Sequence, residues 1–370
     1  MKFVEEYRDA DRTRGLIADI QRLATRRWTI MEVCGGQTHS LLRHGLDTAL
    51  AQRVELIHGP GCPVCVTSAE AIDFALDMAR RPDVAVLSFG DMLRVPGARG
   101  SLLQARAAGA DVRLAYSPLD AVTVAQHTPE KQIVFFAVGF ETTAPATALA
   151  VKRAAALRLK NFTLLAAHVR VLPAMELLCD APDCRVQGFL AAGHVCAVLG
   201  YEDYAPFVER RRLPVVVAGF EPVDLLLALR ECVRQLEAGE AAVTNCYCRG
   251  VRAAGNHQAR AHIAAVYEPC DRDWRGIGVV PAGGFALRQE YAAFDARRRF
   301  ARELPMLPAS AECRAGEVLT GRLKPTDCAH FGKRCTPETP LGAPMVSAEG
   351  ACAAYHRYAG NPVYVLRDPV

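Results

Sequence analysis

Cysteine is the residue type through which this chain can do chemistry. Fourteen occur in 370 residues, and seven fall into three arrangements. Cys34 opens Cys34-Gly35-Gly36-Gln37-Thr38-His39, and a pair closes Gly59-Pro60-Gly61-Cys62-Pro63-Val64-Cys65. Cys313, Cys328, Cys335 and Cys352 form C-x14-C-x6-C-x16-C near the C-terminus. In the first two motifs an apolar, β-prone run feeds a glycine-bearing turn and then a helical pattern. That order places Cys34 and Cys62 where unpaired N–H groups and the positive end of a helix dipole point. Such an environment lowers a thiol pKa and yields thiolate, which is both nucleophile and metal ligand.

Each arrangement has more than one chemical reading. Cys62-Pro63-Val64-Cys65 suits a redox dithiol, because one helical turn brings the two sulfurs together and proline restricts the turn; two buried structural thiols or a zinc site are the alternatives. Cys34 suits a ligand-binding thiol, with His39 one turn further on to donate a proton or tune it; the alternative is a packed cysteine with a capping Thr38. The four tail cysteines suit an iron–sulfur cluster or a structural zinc site, and spacing without a C-x2-C pair favours the cluster. Glu349, three residues before Cys352, is either a supporting group or a solvated charge. Glu141, in Gly139-Phe140-Glu141-Thr142-Thr143, either binds a ligand or caps a helix. His168 and His194 end apolar runs and are more often structural histidines than ligands. Cys179, Cys184, Cys196, Cys232, Cys246, Cys248 and Cys270 read as packed or surface thiols.

The elements that must position these groups alternate. Strands are expected at Thr29–Val33, Val54–Ile57, Val84–Ser88 and Val112–Ala115, with helices over Ala69–Arg80 and Leu102–Ala108. A quasi-repeat follows: 133–141 is echoed by 215–221, each a strand ending in Gly-Phe-Glu before a helix with proline in its first turn. Further strands end at His168 and His194. Alternation with Val/Ile/Leu-rich strands indicates α/β architecture, in which ligands bind at the strands' carboxyl ends, so Glu141, His168, His194 and Glu221 are candidates for one rim. The expected fold has two similar domains, each a mostly parallel sheet flanked by helices. The divisions are 26–130, carrying Cys34 and the dithiol, and 131–250. Residues 1–25 read as an amphipathic helix, and past 250 the chain turns loop-rich, with a cysteine-bearing segment that a metal would stabilise.

The net charge is +4, and the arginine clusters at 210–212 and 297–299 have acidic neighbours, which argues against nucleic acid. No apolar stretch reaches the ~18 residues of a membrane span, and the N-terminus lacks a signal-peptide layout. A cytoplasmic protein is expected, with cysteines serving as ligands or redox groups rather than a disulfide framework. A P-loop for nucleotide is absent.

Taken in order, Cys34 to His39, Gly59 to Cys65, Gly139 to Thr143, Glu268 to Gly276 and the four-cysteine tail resemble the HypD family of [NiFe]-hydrogenase maturation factors over essentially the whole chain. The resemblance implies that residues 1–25 and 251–370 join in one loop- and helix-rich iron–sulfur domain beside the two α/β domains, and that the protein is a scaffold that assembles an Fe(CN)2CO group together with a small HypC-like chaperone. A HypE-like protein would donate cyanide, and the product would pass to the hydrogenase large subunit. By motif match Cys34 would ligate the iron, assisted by His39. Cys62 and Cys65 would be a redox dithiol, and Cys313, Cys328, Cys335 and Cys352 would hold a [4Fe–4S] cluster. A stand-alone iron–sulfur thiol/disulfide oxidoreductase is the alternative. Either reading requires Cys34, Cys62 and Cys65 at one cleft, with the tail cysteines close to the pair.

Overall fold

The computed structural model describes residues 5–301 and 312–359. Its frame is α/β, with two parallel sheets flanked by helices. The first sheet contains β1 (Trp28–Glu32), β2 (Val54–His58), β7 (Gly188–Ala192), β8 (Val215–Ala218) and β9 (Val243–Asn245), in the order β2-β1-β7-β8-β9. The second contains β3 (Val84–Ser88), β4 (Val112–Leu114), β5 (Gln132–Gly139) and β6 (Phe162–His168), in the order β4-β3-β5-β6. The interior strands are buried along nearly their whole length, as covered parallel sheets require.

The chain starts in the first sheet, crosses to the second after β2 and returns at β7. The boundary expected at residue 130 therefore does not separate the sheets. Strand runs can be read locally, but which strand pairs with which depends on where the crossovers land. This order creates two switch points. From β1 the chain leads outward to β2, and from β7 it leads the other way to β8, so a crevice opens at the carboxyl ends of β1 and β7. The second sheet repeats this between β3 and β5. The expected four-residue rim is divided accordingly. Glu141 and His168 stand at strand ends of the second sheet, and His194 and Glu221 at those of the first.

The segment after residue 250 holds a structure that its composition conceals. β10 (Tyr267–Trp274) and β11 (Gly278–Leu287) form an antiparallel hairpin with a register shift between Cys270 and Arg272. Proline at 269, paired glycines at 283–284 and alternating charges hide these strands from a search for apolar runs. The hairpin continues onto the second sheet through a bridge from Val169 to Gly284, and it buries Tyr267, Trp274, Phe285 and Leu287. The two chain ends are also not packed as one body among the described residues. The N-terminal helix Ala10–Leu23 lays Leu16, Ile17 and Ile20 on the core of the first sheet, whereas Ile263, Val266 and Tyr267 join that of the second. No described helix is long and apolar enough to cross a membrane.

Candidate metal and thiol centre

Cys34 follows β1 and is the N-cap of helix Gly35–Arg43, and every polar residue of its motif has a local task. Gln37 is buried and donates to the carbonyls of Ala191 (3.2 Å) and Ala218 (3.0 Å), tying the helix start to the ends of β7 and β8. Thr38 hydrogen-bonds Glu32, whose other oxygen accepts the Cys34 N–H at 2.8 Å. His58, at the end of β2, places Nδ1 2.8 Å from Glu32 and Nε2 3.1 Å from the Tyr355 hydroxyl. A fully buried carboxylate thus gathers the Cys34 loop, the next strand and helix Ala351–Tyr358, which carries Cys352. Neither Glu32 nor Gln37 was singled out from the sequence. A glutamate inside a strand gives no local sign that three elements converge on it.

The Cys34 sulfur lies in the crevice between β1 and β7. His194, one residue into the helix after β7, places Nδ1 3.4 Å from Cys34 Sγ and tilts its ring over Phe220, with centroids 5.5 Å apart. His39 turns elsewhere: its Nε2 is 2.8 Å from the Tyr358 hydroxyl. The histidine in contact with Cys34 is therefore the one 160 residues away, not the one five residues away in the motif. Burial lowers His194 to about 4 and keeps the ring neutral at physiological pH. His39 is also lowered, by burial and by the charges of Arg43 and Arg357.

The helix N-terminus does not make Cys34 an anion. Its sulfur is shut away, and burial pushes the thiol far above its ordinary range. The backbone N–H groups of Gln37 and Gly36 pull the other way, while the charges of Glu32 and Glu349 add to the rise. This corrects the expectation of a thiolate at rest. In a desolvated site the dipole of one helix is outweighed by the loss of water around the charge.

The second motif lies directly on the first. Gly35 N–H donates to the Gly61 carbonyl at 2.7 Å, and a side chain on Gly61 would place its Cβ 2.1 Å from the Cys34 nitrogen. Only glycine permits that approach. Cys62 caps the short helix Pro63–Val66 and is joined to Cys65 as a disulfide. That helix packs on helix Ala343–Val346 of the tail. Gly342, which caps the tail helix, leaves room for the Cys313 sulfur: a Cβ there would be 2.2 Å from it. Glu349 is half of a similar fit, its backbone and Cβ filling the space over Gly35. The residue is exposed, and its carboxyl is raised by partial desolvation and by the charge of Asp91. Ser347 donates to Asp91 at 3.2 Å and Arg94 to the Val346 carbonyl at 3.0 Å, fastening the tail beyond β3 at the second switch point.

The four tail thiols act on one another. Cys352 is raised by burial and by the charges of Cys313, Cys335 and Cys328, and Cys313 by burial and by Cys335 and Cys328. Among the described residues no three His, Cys, Asp or Glu side chains stand at the spacing that binds a single ion. A four-iron cluster holds its sulfurs farther apart than one ion does, and the surroundings suit its negative charge. Leu341 N–H donates to Cys335 Sγ at 3.4 Å. Arg275, which acts on the Cys313 thiol, keeps Nη1 buried without a hydrogen-bond partner among the described residues. Its backbone N–H donates to the Val66 carbonyl at 2.8 Å, so one residue touches the disulfide helix and influences Cys313. Sequence reasoning gave Arg275 no role, although it lies within the Glu268 to Gly276 motif.

Glu141 is set deeper. Its Oε1 accepts from Val171 N–H at 3.1 Å, its Oε2 has no partner among the described residues, and burial raises it to about 7. Its charge reaches Cys196 and Tyr204. His168 is enclosed with Thr147 and Tyr267, and Glu221 is paired with Arg8 at 2.5 Å.

Fold and site together define an α/β protein that gathers Cys34 and the Cys62–Cys65 pair at the carboxyl ends of its first parallel sheet, strapped by a cysteine-bearing tail. A family model described as "HypD: Hydrogenase formation hypA family" matches residues 11–359. The chain is 47% identical to the hydrogenase maturation factor HypD of Rhodobacter capsulatus, over 97% of this chain and 99% of that one. It is 46% identical to HypD of Azotobacter vinelandii, over 97% of each, and 44% identical to that of Escherichia coli (strain K12), over 97% of this chain and 98% of that one. The chain belongs to the HypD family of hydrogenase maturation factors.

Proposed function

We propose that this chain is the scaffold on which an Fe(CN)2CO group is assembled before delivery to the large subunit of a [NiFe] hydrogenase. A HypC-like chaperone shares the iron, and a HypE-like donor brings cyanide. The observation that carries the reading is the buried Cys34 sulfur against His194, with the Cys62–Cys65 disulfide on the adjoining loop.

Iron with cyanide and CO ligands needs a soft anionic donor, and Cys34 becomes one when it loses its proton. His194 is neutral and in reach, so Nδ1 accepts that proton as the Cys34 sulfur binds iron. An otherwise protonated, desolvated thiol resists wandering oxidants and ionises for a cation that enters the site. Entry requires Phe220 and the segment around Glu349, which pack against Gly36 and Gly35, to move aside.

Cys62 and Cys65 form a two-electron couple: the dithiol gives up two electrons and two protons as the sulfur–sulfur bond forms, and regains them when it is reduced. Cys313, Cys328, Cys335 and Cys352 fit a [4Fe–4S] cluster, which when bound exchanges single electrons at a potential set by its surroundings. Arg275 offsets negative charge on that side and ties the hairpin to the disulfide helix.

Infrared spectroscopy of the protein purified anaerobically with its HypC-like partner tests the scaffold. Bands in the cyanide and CO stretching region that vanish in Cys34→Ala and weaken in His194→Ala are expected. No such bands, with every maturation partner present, would overturn it in favour of a stand-alone thiol/disulfide oxidoreductase.

A further inference from the structure

We propose that Cys179 and Cys184 form a second thiol–disulfide exchange couple, which opens on the cleft beside Cys313 and takes a low-molecular-weight disulfide as its oxidant. The couple stands on geometry independent of the assembly reading. Cys179 occupies the last turn of helix Val171–Asp180. The chain then reverses: Ala181 N–H donates to Leu178, and Cys184 N–H to the Ala181 carbonyl at 3.0 Å. That turn brings Cys184 back beside Cys179, where each thiol acts on the ionisation of the other, and the two remain unbridged.

Their exposures give them different tasks. Both are partly accessible and pack against the core of the first sheet, but of the two only Cys184 lines a cleft of about 580 Å³, with Asp180, Val279, Cys313, Arg314 and Arg322. Arg211, held by Glu176 and by Asp180 at 2.6 Å, places its positive charge beside both thiols. The hydrogen bond from Cys179 lowers Cys184 to about 6, and Cys179 is raised in turn. Cys196 and Cys232, which are buried without a thiol hydrogen-bonded to them, are both raised by desolvation.

The step balances. Cys184 thiolate attacks one sulfur of the small disulfide, forming a mixed disulfide and expelling one thiolate. Cys179 then loses its proton and attacks the Cys184 sulfur, expelling the second thiolate and closing the Cys179–Cys184 bond. Two electrons pass from the dithiol to the small disulfide.

The test uses the full chain, reduced and then exposed anaerobically to oxidised glutathione, with remaining thiols alkylated and peptides mapped by mass spectrometry. A peptide linking Cys179 to Cys184 is expected, and it persists when Cys62 and Cys65 are both replaced by serine. Cys179→Ser should accumulate glutathione on Cys184 as a mixed disulfide that no second thiol resolves. Cys184→Ser should slow modification of Cys179 at least tenfold. Separate alkylation of both thiols with no linked peptide, or unchanged reactivity of Cys179 in Cys184→Ser, would overturn the proposal.

Discussion

At the scale of single residues, burial is the force that sets the chemistry, and it is what the sequence conceals. The motifs that hold the thiols are legible, because glycine-flanked cysteines at strand ends have few other uses. The state of Cys34 and the choice of His194 over His39 are not, since both depend on what folds over them. Burial also predicts how stability responds to acid. His194 and His168 are lowered to about 4 and about 3, so between pH 6.5 and those values the unfolded chain binds protons that the folded chain refuses. Stability therefore falls as pH drops through that window. Glu141, raised to about 7, works with the opposite sign, since between 4.5 and 7 the folded chain holds a proton that the unfolded one has lost. Urea midpoints should decline from pH 6.5 to 4.5, and Glu141→Gln should steepen the decline by removing the opposing contribution. A flatter profile in that variant would refute the assignment. Glu32→Ala removes the buried acceptor shared by His58 Nδ1, the Thr38 hydroxyl and the Cys34 N–H, and should cost about 3–5 kcal/mol in denaturant unfolding.

Among elements, the strands and most helices follow from apolar runs and spacing, so their bounds are close to those expected. The hairpin β10–β11 escapes this because its stability comes from two aromatic anchors, Tyr267 and Trp274, rather than a continuous apolar stripe. The helix Ala351–Tyr358 illustrates a second kind of hidden information. Its placement rests on two tyrosine hydroxyls, Tyr355 to His58 at 3.1 Å and Tyr358 to His39 at 2.8 Å, which connect it to both walls of the Cys34 loop. Nothing in its own sequence names those partners. Tyr355→Phe leaves a buried imidazole nitrogen unpaired and should cost about 1–3 kcal/mol, whereas Tyr358→Phe, whose partner His39 is only half-buried, should cost about 1 kcal/mol. Amide hydrogen exchange should localise the loss of protection to 351–358 and to the turn after β1. Exchange that rises uniformly over the first sheet would show that the tyrosines stabilise the sheet and do not dock the helix.

For the whole molecule, the consequence of interleaving the sheets is that both switch points lie within reach of one strap. The tail fits over Gly35 at the first through Glu349 and is fastened beyond β3 at the second through Ser347 and Asp91. Its apolar anchors are few and divided: Leu319 joins the core of the first sheet, Ala343 and Val346 that of the second, and Ala354, Tyr355 and Tyr358 form a small separate cluster with Leu42. If four cysteines hold a cluster, the metal supplies much of what keeps the strap in place, and folding of the tail is coupled to its occupancy. The two sheets, with their own continuous cores, do not depend on it. Removing iron with a chelator under reducing conditions, or replacing Cys328 with serine, should therefore leave the β-sheet circular dichroism nearly unchanged. Limited proteolysis should then become at least tenfold faster within 312–359 and remain unaltered within β1 to β9. Cys34 should become accessible to alkylation in the same experiment, because the segment over Gly35 is part of the strap. Faster cleavage of the sheets, or a Cys34 that stays protected once the tail is cut, would show that the strap neither depends on metal nor closes the site.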